Sequence, residues 1–313
     1  MSKIKFILRA VIFFLPIILL IIAIELYITY GESSFANKAN HLKDNLGNIE
    51  ILILGSSRTQ NSINPELLSM KSANLAYANQ DYMINAAIFS HYVDKLEKLR
   101  YVILELDYLS LLHGTKSDYF RIPWYYRYHS ININDISNIE KISLLFSSPD
   151  YFKKIINRQI YDIDNKVEVN KYGFFNNNYS GPFHKIRYDS TLVKPSKYLT
   201  NFHNNYENDN YIDNVNYLKS IINHCQKISL PIIFIKNPVY KTFYNGYDPI
   251  LMKKILETED SLINNLTNVH VFNFENYFPN KIHYYIDEQH LNSQGALLLT
   301  SQFEEELNIL QLQ

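Results

Sequence analysis

A single cysteine, Cys225, stands among the 313 residues. Its isolation excludes an intrachain disulfide and any site that needs several thiolates. Cys225 falls on the apolar side of a helical pattern, so a buried structural thiol is expected. Glycine is scarce as well, at 8 residues, where average usage would give about 22. Motif positions usually filled by glycine are therefore expected to carry other residues. A charge excess is also missing: 30 Lys and Arg face 31 Asp and Glu, for a formal net charge of -1. Nothing here suggests a general nucleic-acid binder, which would show a basic excess or stripe, and no nucleic-acid partner is expected. Paired histidines at helical spacing are absent. Asp287, His290 and His283 lack a convincing further partner, so no metal and no cofactor are expected.

One long apolar run is present, from Phe6 to Tyr30. About 20 such residues span a bilayer core. Lys3, Lys5 and Arg9 precede or open the run, which places the N-terminus in the cytoplasm by the positive-inside rule. Glu25, Tyr27 and Tyr30 fit an interfacial belt at the far end. A cleaved signal peptide is the alternative, with a vague cleavage site at Ser33-Ser34-Phe35-Ala36. Its apolar core would be shorter, about 7–15 residues, so an uncleaved single-pass anchor in the bilayer is favoured. Either way the bulk of the chain lies outside the cytoplasm, periplasmic or extracellular. The expected organisation is a cytoplasmic tail over 1–5, an anchor over 6–30, a polar linker over 31–48 and one domain over 49–313.

Within that domain, strand and helix patterns alternate. Apolar runs at 49–54, 73–76, 101–106, 230–235 and 269–274 read as about five strands. Helical spacing recurs over 83–96, 212–225, 248–264 and 296–307. Alternation of this kind implies a parallel sheet with helices on both faces, a three-layer α/β/α class. The stretch of about 109–208 is too long for one crossover and reads as an inserted cap. It includes some helix, for example over 135–146. It also holds Tyr119-Phe120, Trp124-Tyr125-Tyr126-Arg127-Tyr128 and the aromatics of 174–179. Two readings are open: exposed rings suited to sugars or a protein partner, or a small aromatic core of the insertion.

Chemistry is concentrated at the two ends of the domain. Ile51-Leu52-Ile53-Leu54 runs into Gly55-Ser56-Ser57-Arg58, which puts Ser57 just past a strand end, where parallel sheets bind ligands. Asp287-Glu288-Gln289-His290-Leu291-Asn292 precedes the last helix. A serine hydroxyl needs a base to become a useful nucleophile. His290 is the natural base, and Asp287 could hold its tautomer. Asn292 or Ser293 could cap the helix that follows. Taken alone, Gly-Ser-Ser after a strand is ordinary turn chemistry, and Asp and His often cap helices. The combination, in this order on this pattern, is the stronger signal.

These residues resemble the SGNH/GDSL-type hydrolases and acyltransferases. Gly55-Ser56-Ser57 matches the family's first block, with Ser57 as nucleophile, and Asp287/His290 match its last. The resemblance spans roughly 49–107 and 211–310 and implies a flavodoxin-like sheet. With the anchor it is similar to bacterial envelope proteins of alginate O-acetylation and of teichoic-acid D-alanyl transfer. It thereby implies a carbohydrate substrate and, for a transferase, an integral-membrane acyl-donating partner. Two blocks depart from the family. Asn79 stands about where a glycine N–H would serve the oxyanion hole. The third strand ends in Glu105-Leu106-Asp107 rather than in an Asn that donates, and an ionised Asp cannot donate. Ser56, Arg58 and Asn79 are the remaining oxyanion or substrate-binding candidates. The expectation is a serine esterase or O-acyltransferase of an envelope glycan, with a non-catalytic glycan-binding or assembly protein as the alternative.

Overall fold

The computed structural model describes residues 3–312, apart from 32, 116–118, 135, 150, 151, 154–167, 177–180 and 265. The chain divides into two compact units, one of residues 1–36 with 117–166, the other of 37–116 with 167–313. In chain order the elements used below are α1 (Lys3–Tyr30), α2 (Ser34–Asp44), β1 (Ile51–Leu54), α3 (Ser57–Ser62), β2 (Ser72–Asn74), α4 (Tyr82–Tyr92), β3 (Tyr101–Glu105), α5 (Ile122–His129), β4 (Glu168–Val169), β5 (Phe175–Asn176), α6 (Asn208–Lys227), β6 (Ile232–Lys236), α7 (Pro249–Ile263), β7 (Val269–Asn273) and α8 (Ser293–Gln311).

α1 is long and apolar enough to cross a membrane. At 1.5 Å per residue it rises about 42 Å, more than the roughly 30 Å of a hydrocarbon core. The linker expected over 31–48 is instead largely helix α2. Its polar average hides an apolar stripe at helical spacing. Phe35, Ala36, Ala39 and Leu42 lie on that stripe, and all four are buried.

The second unit is built on five parallel strands in the order β2-β1-β3-β6-β7. Ile51, Ile53, Ile103, Ile233 and Ile235 share one core with Leu299, Phe303 and Leu307 of α8. Successive strand residues point to opposite faces. Leu52, Leu54, Val102, Leu104 and Phe234 therefore face the other way, and they are equally buried. Both faces are covered, as continuous apolar parallel strands require, and the three-layer class expected from the sequence is observed. Counting only sheet strands, the order is 2-1-3-4-5. The chain leaves β1 for β2 on one side and returns to β3 on the other. The crevice beyond the carboxyl end of β1 is thus the switch point where such sheets bind ligands.

The insertion expected over about 109–208 is not one body. Residues 117–166 belong with the N-terminal unit and 167–208 with the sheet unit, where β4 and β5 pair antiparallel. Where one helix was expected over 135–146 there are two short ones, Asn138–Ile142 and Leu144–Ser147, broken at Ser143; residue 135 lies outside the described residues. The aromatics of α5 form a core. Trp124, Tyr125 and Tyr128 are buried, with ring centroids 5.6, 5.0 and 5.6 Å from that of Phe35. Those three rings are accounted for by packing. Residues 177–179 of the second aromatic stretch lie outside the described residues.

Candidate active site

β1 delivers the chain to a tight turn at Gly55. Its φ of +152° is one that side-chain-bearing residues rarely adopt. A Cβ there would lie 2.8 Å from Glu105 Cβ, Glu105 Oε2 and Thr59 Oγ1. Ser56 then caps α3, its hydroxyl oxygen accepting from Arg58 N at 3.3 Å, and Ser57 opens the helix. Asn61 Nδ2 donates to Ser57 O at 2.9 Å. The Ser57 hydroxyl lies 2.8 Å from His290 Nε2, although 233 positions separate the two residues.

The loop that carries His290 is held at both ends. Tyr285 and Leu291 pair antiparallel, and Ile286 N donates to His290 O at 2.8 Å. Asn292 caps α8 by accepting from Gln294 N and Gly295 N, while its own Nδ2 donates to His283 O at 2.6 Å. Phe183 N donates to Ile286 O at 3.1 Å, and Tyr240 N to Glu288 O at 2.9 Å. Gly181, at φ +113°, lets the chain pass Ile286 where a Cβ would collide.

Asp287 lies behind the imidazole, 2.9 and 3.0 Å from His290 Nδ1 through its two oxygens. Its Oδ1 also accepts from Gln289 N at 2.8 Å and His290 N at 3.0 Å. A carboxylate at Nδ1 assigns that nitrogen the proton, so Nε2 accepts from the Ser57 hydroxyl. Burial pushes the Asp287 carboxyl up, but His290 and the two amides outweigh it and hold the group below its ordinary value. The His290 and Asp287 side chains keep 21% and 32% of their surface exposed, which leaves the dyad reachable from solvent.

Behind the serine turn lies a buried polar cluster. Glu105, the last residue of β3, accepts from Ser56 N (2.8 Å), Ser56 Oγ (2.7 Å), Thr59 N (3.3 Å), Thr59 Oγ1 (2.7 Å) and Arg58 Nη2 (2.7 Å). Arg58 Nη2 also meets Asp107 Oδ1 at 2.7 Å. Asn237 Nδ2 donates to Thr59 Oγ1 at 2.8 Å. Burial raises the Glu105 carboxyl, yet the Arg58 charge and the donors of Ser56 and Thr59 outweigh it, so Glu105 is held ionised. For Asp107, burial wins over Arg58, and Glu105 and Glu275 add repulsion, which raises its carboxyl to about 7. One guanidinium thus serves two carboxylates, and the second holds its proton more tightly. Burial opposes the Arg58 charge, but the two carboxylates outweigh it and hold the guanidinium protonated.

Ser57, His290 and Asp287 are therefore brought together, whereas the other three candidates are not aimed at them. Ser56 and Arg58 turn inward to Glu105. Asn79 sits at φ +58° with an exposed side chain, its carbonyl accepting from Thr115 Oγ1 at 2.6 Å. No hydrogen bond joins Asn79 to Ser57 or His290 among the described residues. The Ser57 amide has no acceptor among them either. Glu105 and Asn237 were missed as contributors to the site. The available signal was an acidic residue closing an otherwise apolar buried strand, which requires a partner. Among the described residues, no three His, Cys, Asp or Glu side chains are grouped to hold a metal ion.

No protein-family model matches the chain, and no curated protein matches it. Among solved structures it is similar to a provisionally assigned platelet activating factor from Streptococcus pneumonia. The TM-score is 0.41 at 11% identity, over 87% of this chain and 91% of that one. The chemistry is read from the side chains.

Proposed function

We propose that the protein is a serine-dependent ester hydrolase or O-acyltransferase. The observation that carries this reading is the Ser57 Oγ–His290 Nε2 contact of 2.8 Å, continued through Nδ1 to Asp287. Ser57 Oγ attacks an acyl carbonyl as its proton passes to His290 Nε2. The tetrahedral intermediate collapses, the alkoxy leaving group takes that proton from His290, and an acyl-serine remains. Water or a sugar hydroxyl then attacks the acyl-serine and gives its proton to His290, releasing acid or new ester and restoring Ser57. Asp287 stabilises the imidazolium formed in each half. The Ser57 amide, with no other acceptor, is one candidate donor to the oxyanion.

We further infer that α1 is a retained membrane anchor, with the sheet unit outside the cytoplasm, and that the substrate is an acylated envelope glycan. The glycan and an integral-membrane acyl donor come from the family resemblance. The anchor reading rests on the length and apolar character of α1. One observation favours a second reading, a weak or inactive member that serves binding or assembly: Glu105 and Asp107 stand where the family places an oxyanion donor, and Glu105 takes the Ser56 amide. The deciding experiment measures acetate release from O-acetylated glycan by the full chain and by Ser57→Ala. Ser57-dependent release supports the enzyme; no release above the Ser57→Ala level supports the second reading.

A further inference from the structure

We propose that residues 138–147 are a membrane-interface segment, with Ile139, Ile142 and Phe146 seated among lipid headgroups and upper acyl chains beside α1. The inference goes beyond the catalytic reading and rests on α1 being a retained anchor. It concerns the N-terminal unit alone.

The first observation is where the segment is tied. Glu25 of α1 accepts from Ser143 Oγ at 2.7 Å, Leu144 N at 2.9 Å and Leu145 N at 3.1 Å. Its neighbour one turn on, Thr29 Oγ1, donates to it at 3.3 Å. The run from Phe6 to Ile24 rises about 28 Å at 1.5 Å per residue, close to the roughly 30 Å of a hydrocarbon core. Glu25 therefore marks the lipid–water boundary, and its carboxylate fixes the segment at that depth. A second tie holds the same region: Tyr128 Oη donates to Ile28 O and Thr29 O at 3.3 and 3.1 Å, satisfying carbonyls that a helix end leaves open.

The second observation is what the segment shows outward. Leu144 is buried, but Ile139, Ile142 and Phe146 are 64%, 71% and 57% exposed. Three large apolar side chains within eight residues are a poor surface for water. At the boundary of a bilayer they have a solvent. Polar groups accompany them in the manner of interfacial helices. Glu140 closes a capping box on Ser137, and the Lys141 ammonium lies 5.8 Å over the Tyr126 ring, its stem free to lie along apolar surface. Lipid is favoured over a protein partner because the exposed groups sit at the depth that α1 itself defines.

The test uses the full chain in phosphatidylcholine/phosphatidylglycerol liposomes. Single-cysteine variants on a Cys225→Ser background carry an environment-sensitive fluorophore at Ile139→Cys, Ile142→Cys or Phe146→Cys. Leu15→Cys in α1 and Ile250→Cys, at a position 80% exposed on the other unit, are references. The three labels are expected to be quenched several-fold more by lipid with a nitroxide near the headgroup than by aqueous iodide. Leu15 should respond to a nitroxide deep in the acyl chains, and Ile250 to iodide only. If the three labels behave like Ile250 while Leu15 reports lipid, the proposal falls and the anchor stands. If Leu15 is open to iodide, the anchor reading falls and takes the proposal with it. Shielding of the three labels from both quenchers means a protein contact and overturns the lipid assignment.

Discussion

Glu105 receives both donors of Ser56, the amide at 2.8 Å and the hydroxyl at 2.7 Å. The residue before Ser57 is thus fixed by a carboxylate on the neighbouring strand. Arg58 and Thr59, on the far side of Ser57, bind the same carboxylate. Ser57 rides on a turn wrapped around Glu105.

Glu105→Gln tests that dependence. The amide nitrogen would face donors, and Arg58 would keep only Asp107. Breaking a buried pair costs about 3–5 kcal/mol, so denaturant unfolding should show a loss of that order. In the protein that remains folded, kcat should fall more than KM rises, because misplacing a reacting group by about 1 Å costs about 10²-fold. Unchanged stability and kcat would remove Glu105 from the site.

Gly55→Ala probes the same packing from the other side. At φ +152° its new Cβ would press on Glu105 and Thr59. Strained backbone of this kind costs about 1–3 kcal/mol. Thermal or chemical unfolding should show that loss together with reduced esterase rate; a neutral outcome would contradict the described turn.

Asp287→Asn keeps an oxygen for the amides of Gln289 and His290 but turns an NH₂ toward the imidazole. His290 then takes the wrong tautomer. In a serine protease of the same logic this costs about 10⁴ in kcat, and a loss of that order with little change in unfolding midpoint is expected here. Retention of kcat within a few-fold would mean that Asp287 does not orient the base.

Asp107 makes stability depend on pH. Its folded carboxyl is raised to about 7. Between the ordinary carboxylate range and about pH 7, the folded chain therefore holds a proton that the unfolded chain has released. The Asp107 contribution to stability should fall as pH rises through that window, by up to about 1.4 kcal/mol per pH unit for one proton. Glu259 and Glu275, also raised by burial, act in the same direction. His41, His91, His113 and His270, lowered chiefly by burial, act in the opposite direction below the ordinary histidine range. Asp287 and Glu105, both lowered, lose their contribution only at more acid pH. Lys38, desolvated and lowered to about 7, acts above that window. Asp107→Asn should flatten the slope by about one proton when unfolding is compared near pH 5 and pH 7. An unaltered slope would place the proton elsewhere.

The strands were legible because their physics is local. The three buried runs that became β1, β3 and β6 could hardly be anything else. The run that became the edge strand β7 is apolar but only half-buried or exposed, and the Asp287–Asn292 spacing carried its own turn and cap. α2 was not legible: its polar average concealed an apolar stripe that only packing gives a purpose. The aromatics of α5 were open to two readings because sequence does not say which way a ring faces, and the structure turns Trp124, Tyr125 and Tyr128 inward. Arg58 was a candidate for the substrate side for the same reason. Its direction depends on Glu105 and Asp107, residues that join it only once β1 and β3 are paired.

The central claim is that His290 activates Ser57 as a nucleophile. The most direct measurement treats the full chain with a serine-reactive fluorophosphonate and maps the adduct by mass spectrometry. The account predicts one adduct, on Ser57, abolished in Ser57→Ala and slowed by orders of magnitude in His290→Ala. An intact chain that takes no label, or takes it on another residue, would contradict it.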